Sequence, residues 1–241
     1  CIPSTQHDEE RTWKPGYYAS DAGPGVAIRL SKKIRGTVIS KPMVHAHRDR
    51  IVAIKLKSEG QYHLVIIGVY FPPGRTAAER SIRRGMHSEL RRMYASLDSK
   101  HHCFIPLGDF NAKMSPDVGV GQKIVGQHIV NGTEDDRGKL LKTTCRTMGL
   151  RDSGSFVAAM RGKGKETWRS WGGNSRSTID YILVSHRRFN SLQNFKICWT
   201  PAVRKHARPE DHALISVDLG GRRIAKKEVT VKRNWEWLKA G

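Results

Sequence analysis

Cys103-Phe104-Ile105-Pro106-Leu107-Gly108-Asp109-Phe110-Asn111 is an apolar run that stops at a glycine and then sets an acid and an amide two residues apart. The apolar part reads as a short buried strand. Gly108 relaxes the backbone, and if the chain stays extended beyond it, Asp109 and Asn111 point to the same side. Such a pair can bind the water of a divalent cation and hold a phosphate oxygen. The same Gly-Asp-x-Asn string also suits an Asx-rich turn, so the rest of the chain has to decide.

Upstream, Val26–Leu30, Ile51–Lys57 and Leu64–Tyr70 read as consecutive strands, and Val52, Ile54 and Leu56 share one face at period two. Glu59-Gly60 predicts a turn and an antiparallel meander, and Pro72-Pro73-Gly74 ends the third strand. Ile82, Met86, Leu90, Tyr94 and Leu97 recur at helical spacing, so a helix is predicted there. Its other face carries Arg83, Arg84, Arg91 and Arg92, which suit a phosphate backbone or solvent equally. Downstream, Asp135-Asp136 caps a predicted helix that runs through Met148 and closes at Gly149. Thr178–Ser185, Phe195–Trp199 and Ala213–Leu219 complete the strands. Strands interspersed with helices, without repeat or linker, indicate an α/β or α+β domain with mixed pairing. Residues 1–220 form this domain, and 221–241 read as a basic, solvated extension.

Two further polar groups abut apolar strands. Asp180 interrupts Ser177–Ser185, and a buried carboxylate there needs a cation, a histidine or several donors. Pro209-Glu210-Asp211-His212 precedes Ala213–Leu219 and offers a carboxylate beside an imidazole, suited to metal and phosphate chemistry.

Composition narrows the partner. The 241 residues carry 43 Lys+Arg against 22 Asp+Glu, a net charge of +21. The segment 221–241 supplies +5 of it, so the body itself is basic. That field favours a polyanion over a small metabolite. Hydrophobic residues at 38% suffice for a core and argue against wholesale disorder. Cys1, Cys103, Cys145 and Cys198 form no C-x-x-C pair, which argues against a zinc module and points to a reduced intracellular setting. The longest apolar run, Leu64–Phe71, is far short of the ~20 residues a membrane span needs. Opening on Cys1 instead of Met suggests a fragment or a processed product.

In order along the chain, Val-Tyr-Phe-Pro-Pro at Val69–Pro73, Leu-Gly-Asp-Phe-Asn at Leu107–Asn111, Thr167-Trp168 with Ser177–Ser185, and Glu-Asp-His at Glu210–His212 form a specific set. With Asp136-Arg137-Gly138-Lys139-Leu140-Leu141, they resemble the endonuclease/exonuclease/phosphatase superfamily, above all the endonuclease domain of non-LTR retrotransposons, over residues 17–220. The resemblance implies a four-layer α/β sandwich of the DNase I-like kind, with two mixed sheets flanked by helices. It implies Mg²⁺- or Mn²⁺-dependent cleavage of phosphodiesters, with DNA as partner, a monomeric domain, a nuclear site of action and a reverse transcriptase domain on the C-terminal side. By position, Tyr70 would contact the scissile phosphate, Asp109 would orient or deprotonate the attacking water, and Asn111 would hold a phosphate oxygen. His212 would stabilise charge at phosphorus with Asp180 fixing its tautomer, Asp211 would lie near the metal, and Thr167 would support the site.

Two departures carry consequences. The family's first strand–helix–strand unit, which ends in a metal-binding Glu, has no counterpart after Cys1, and Glu9 and Glu10 follow no strand. The expectation is therefore a chain that begins partway into the domain, with weak or absent cleavage. Glu210 stands where the family usually has Ser. A small-phosphoester phosphatase and a non-catalytic nucleic-acid-binding remnant are the competing readings. Among other candidates, Trp168 and Trp171 accompany a basic, glycine-rich segment, Arg161–Arg176, suited to stacking on bases; Trp168 is expected in the core, and Trp171 suits core and stacking equally. His45, His47, His101 and His102 read as solvated loop residues, and Gly119–Gly121 as plain loop.

Overall fold

The computed structural model describes residues 17–19, 26–30, 37–40, 47–57, 63–97, 101–119, 121–157, 166–170, 172–199 and 211–220. Trp171, Glu210, Glu9, Glu10, His45 and the basic segment 221–241 lie outside them. In chain order the strands are β1 (Tyr17–Ala19), β2 (Ala27–Arg29), β3 (Thr37–Ser40), β4 (Ile51–Lys57), β5 (His63–Tyr70) and β6 (His102–Asp109). They continue with β7 (Leu150–Asp152), β8 (Trp168–Arg169), β9 (Arg176–Ser177), β10 (Asp180–Ser185), β11 (Leu192–Cys198) and β12 (Leu214–Leu219). Helix α1 (Ala77–Ala95) follows β5, and α2 (Asp136–Met148) precedes β7.

A six-stranded sheet in the order β3-β4-β5-β6-β10-β7 is the frame. Its β5–β6 pair is parallel, with α1 as the crossover, and its other pairs are antiparallel, so the sheet is mixed. β4 and β5 form the expected antiparallel hairpin, in a register from Ile51 opposite Val69 to Lys57 opposite His63. β2 departs from expectation: it pairs with β1, and the four-residue β3 takes the place beside β4.

Period-two alternation buries both faces of the sheet. On one face Ile51, Ala53, Val65, Ile67, Phe104 and Leu183 pack under Met86 and Leu90 of α1 and Leu141 and Cys145 of α2. On the other, Val52, Ile54 and Leu56 meet Ile28 and Leu30, while Ile105, Ile182 and Val184 meet Phe195 near β12. The result is an α/β sandwich in which helices cover one side and strand ribbons the other. No helix among the described residues is long and apolar enough to cross a membrane.

α1 starts at Ala77, five residues before the first apolar position of its stripe, because Thr76 and Glu79 form a capping box. The same helix corrects the reading of its arginines. Arg83 is only 5% exposed, and its Nη2 donates to the carbonyls of Pro72 (3.0 Å) and Gly74 (2.7 Å). It braces the turn after β5 from beneath and is no surface cation. Arg92 pairs with Glu89, Arg91 reaches Thr144 of α2, and Arg84 stays exposed. α2 matches expectation closely: the Asp135 side chain accepts from Gly138 N at 2.7 Å, and Gly149 ends it in the left-handed conformation (φ 59°).

Candidate active site

Strand register alone brings three of the predicted residues side by side. Tyr70 lies opposite Asp109 in the parallel pair, and Asp180 lies opposite Asp109 in the antiparallel pair. Gly108 is required here, since its φ is +136° and a Cβ would collide with the carbonyl oxygen of Val69. Beyond Asp109 the chain leaves the sheet, and Asn111 adopts a left-handed φ of 47°. Asn111 N donates to Asp109 Oδ1 at 2.7 Å, and Asn111 Nδ2 donates to Asp109 Oδ2 and to the Phe71 carbonyl, each at 2.8 Å. The motif is thus both an Asx turn and a cleft-facing pair. Both amide donors of Asn111 are committed, and they fix the orientation of the Asp109 carboxylate.

Thr167 places the other half of the site. It is 1% exposed, and its Oγ1 accepts from Ile179 N and Asp180 N, both at 3.0 Å. Its carbonyl accepts from Ala213 N at 2.8 Å, and Trp168 bridges to His212. One residue therefore ties the start of β10 to the segment carrying Asp211 and His212. His212 Nδ1 lies 3.0 and 3.1 Å from the two oxygens of Asp180. Thr167→Val, of nearly the same shape, leaves two buried N–H groups without an acceptor, at about 1–3 kcal/mol each. Thermal melting should fall by at least about 5 °C, with Thr167→Ser close to wild type; a valine variant that melts with the wild type would refute this role.

Ligand atoms of Asp109, Asp180 and His212 all lie within 4.8 Å of one another. Burial first, and then the Asp180 carboxylate, push the Asp109 carboxyl up from 3.8 to about 7, outweighing its bonds to Asn111. Burial works against the charged form of His212. The hydrogen bond and charge of Asp180, aided by Asp109 and Asp211, outweigh it and hold the imidazole above its ordinary value.

Asp109 and His212 open onto a cleft of about 430 Å³ that also exposes Tyr70, Asn111 and Asp211, while Asp180 stands behind His212 and does not line it. Thr167 is buried and does not line it. Arg84 and Arg176 are exposed but do not line the cleft, and Arg176 lies 3.8 Å from Glu166. Trp168, expected in the core, is half-buried and lines the cleft instead, because its short strand runs beside the His212 segment. Lys113 and Arg137 line it as well and were not singled out from the sequence. Lys113 stands two residues after Asn111 and Arg137 follows the α2 cap, but neither position stands out in a chain with 43 Lys and Arg.

Comparison with known proteins agrees with this geometry. Craniofacial development protein 2 of Bos taurus is 26% identical over 172 residues, covering 71% of this chain and 27% of the relative. The chain thus spans about a quarter of the length of the curated relative it matches. The endonuclease domain of TRAS1, a telomere-specific non-LTR retrotransposon, superposes with a TM-score of 0.59 at 14% identity, covering 86% of this chain and 81% of that one. A 3′ phosphatase (NExo) from Neisseria, bound to product DNA hairpin, gives 0.51 at 18% identity over 76% and 69% of the two chains. An AP endonuclease from Archaeoglobus fulgidus gives 0.52 at 13% identity over 71% and 65%. At such identities the structural likenesses establish the DNase I-like fold. The family assignment rests on a match along residues 4–201: the chain belongs to the endonuclease/exonuclease/phosphatase family.

Proposed function

We propose that this chain carries a divalent-metal-dependent phosphodiester hydrolase domain that nicks DNA, of the kind carried by retroelements. The observation that carries the reading is the Asp109–Asp180–His212 cluster, two of whose members, Asp109 and His212, line the cleft. A hard cation fits this donor set. Asp211 offers a carboxylate oxygen to the cleft beside Asp109, and oxygen donors are what such a cation takes. When bound, Mg²⁺ or Mn²⁺ would neutralise charge on the phosphate and on the departing oxygen.

The chain's own groups divide the remaining work. Asp109, its two oxygens aimed by Asn111, orients a water and takes its proton as the water oxygen attacks phosphorus and the ester P–O bond breaks. A carboxyl near neutrality suits that transfer. His212, tethered through Nδ1, presents its other ring nitrogen as a charged donor to the phosphate oxygens. Tyr70, 37% exposed at the rim, contacts the scissile phosphate. The net charge of +21 favours DNA over a small phosphoester. The ordered motifs and the TRAS1 likeness support the retroelement origin, and with it a nuclear site of action and a reverse transcriptase partner.

The test is supercoiled-plasmid nicking by the 241-residue chain with Mg²⁺, Mn²⁺ or EDTA. Relaxed circles should form slowly with either ion, stop with EDTA, and fall by at least about 10³ in an Asp109→Ala/His212→Ala double variant. Nicking that survives in that variant or in EDTA overturns the site. A folded wild-type chain that binds DNA but leaves the plasmid intact replaces the hydrolase reading with that of a binding remnant.

A further inference from the structure

We propose that Lys113 and Arg137 form a second phosphate subsite, which takes a backbone phosphate next to the one attacked and so selects a polynucleotide over a lone phosphoester. The inference rests on the nuclease reading and adds to it a requirement for a chain of phosphates.

The two cations share the cleft with Asp109, Asp211 and His212. The acids of that cleft repel a polyanion, so a nucleic acid strand entering it needs positive charge beside the reacting centre. Arg137 is held ready to supply it. Its Nε and Nη2 lie 2.9 and 2.7 Å from Asp135 Oδ2, and its Nη1 donates to the Pro73 carbonyl at 2.8 Å. A guanidinium carries five N–H donors, so two stay unspent on a group whose position is already fixed. Lys113 is half-buried, and its ammonium has no acidic partner among the described residues.

Asp135 locks the pair together. Besides Arg137, it accepts from Lys113 N at 3.1 Å and from Gly138 N at 2.7 Å, and its own N–H donates to the Lys113 carbonyl at 3.2 Å. Gly138 lets α2 approach this closely, since a Cβ there would collide with the Lys113 carbonyl oxygen. One carboxylate thus organises two cations, and the three groups together carry a net charge of +1 at that end of the cleft. The cleft's volume of about 430 Å³ falls in the range of pockets that enclose a drug-sized ligand, larger than a single phosphate.

The experiment is fluorescence anisotropy with a short labelled DNA duplex in EDTA, so that nothing is cleaved, between about 50 and 200 mM salt. Lys113→Gln and Arg137→Gln should each flatten the slope of log K against log salt by about 0.9, the value of one lost phosphate contact. Arg146→Ala, an exposed charge deletion in the last turn of α2, should leave the slope at the wild-type value. If Arg137→Gln disturbs the turn at Pro73, Lys113→Gln still decides, because it removes an ammonium with no acidic partner among the described residues. Wild-type slopes in both glutamine variants, or equal flattening by Arg146→Ala, overturn the subsite. A chain that nicks plasmid but shows those results loses the subsite alone. One that shows the predicted slopes but never nicks loses the nuclease reading alone, and one that does not bind the duplex loses both.

Discussion

Asp109→Asn should abolish nicking and at the same time make the folded chain more stable. The carboxyl titrates at 3.8 in its ordinary state and is pushed up to about 7 in the fold, by burial and then by Asp180. For an acid shifted in this direction the folded state binds more protons than the unfolded one. The fold therefore suffers no penalty below about 3.8, loses stability as pH rises, and carries the whole penalty above about 7. At about 1.4 kcal/mol per unit the penalty is of the order of 4 kcal/mol. An asparagine removes the charge but turns an amide N–H toward Asn111 Nδ2, itself a donor, so a net gain of about 1–2 kcal/mol remains. Melting should rise by about 3–6 °C at pH 8, and the gap over wild type should shrink at pH 5. Loss of activity with a gain in stability is the signature of a group kept for chemistry. Equal melting curves at pH 8 would mean that Asp109 is not the strained carboxylate of this site.

That strain also explains why Asp109 and Asp180 were legible in the sequence. A carboxylate in an apolar strand costs free energy unless something compensates it, so it stands out against a pattern it should not belong to. α2 was legible for a similar local reason, because Asp135 and Gly149 announce its two ends by cap chemistry. Lys113 and Arg137 had no such contrast among 43 Lys and Arg. What distinguishes them is Asp135, which meets Lys113 across 22 residues of chain and so leaves no trace at any fixed spacing. Arg83 was misread because helical arithmetic sets it opposite the apolar stripe and says nothing of the Pro72–Gly74 turn that covers it. Asn111 lines the cleft, but that both its donors are already engaged could be seen only once the left-handed turn was in view.

Asp180→Asn should take the reaction apart from the other side, and its readout separates orientation from mere packing. Burial alone would depress the His212 imidazole; the Asp180 hydrogen bond and charge are the chief reasons it is raised instead. With a neutral amide at 180, the imidazole should fall below its ordinary 6.5, so that near neutral pH it no longer offers a charged donor to a phosphate. Asp109 should fall as well, since the Asp180 charge is the second cause of its elevation. In the wild type the pair's contribution to stability is fully present below about 6.5 and is lost as pH rises through the higher folded value of His212. The melting deficit of Asp180→Asn should accordingly be largest at mildly acidic pH and narrow above neutrality. Nicking should drop by about 10⁴, the loss seen when a carboxylate that fixes a catalytic imidazole is neutralised. An NMR titration of the His212 ring, with melting and nicking on the same samples, tests all of this together. If the variant keeps a raised histidine, or nicks within about tenfold of wild type, Asp180 does not govern His212, and the charge on the imidazole must come from Asp109 and Asp211 instead.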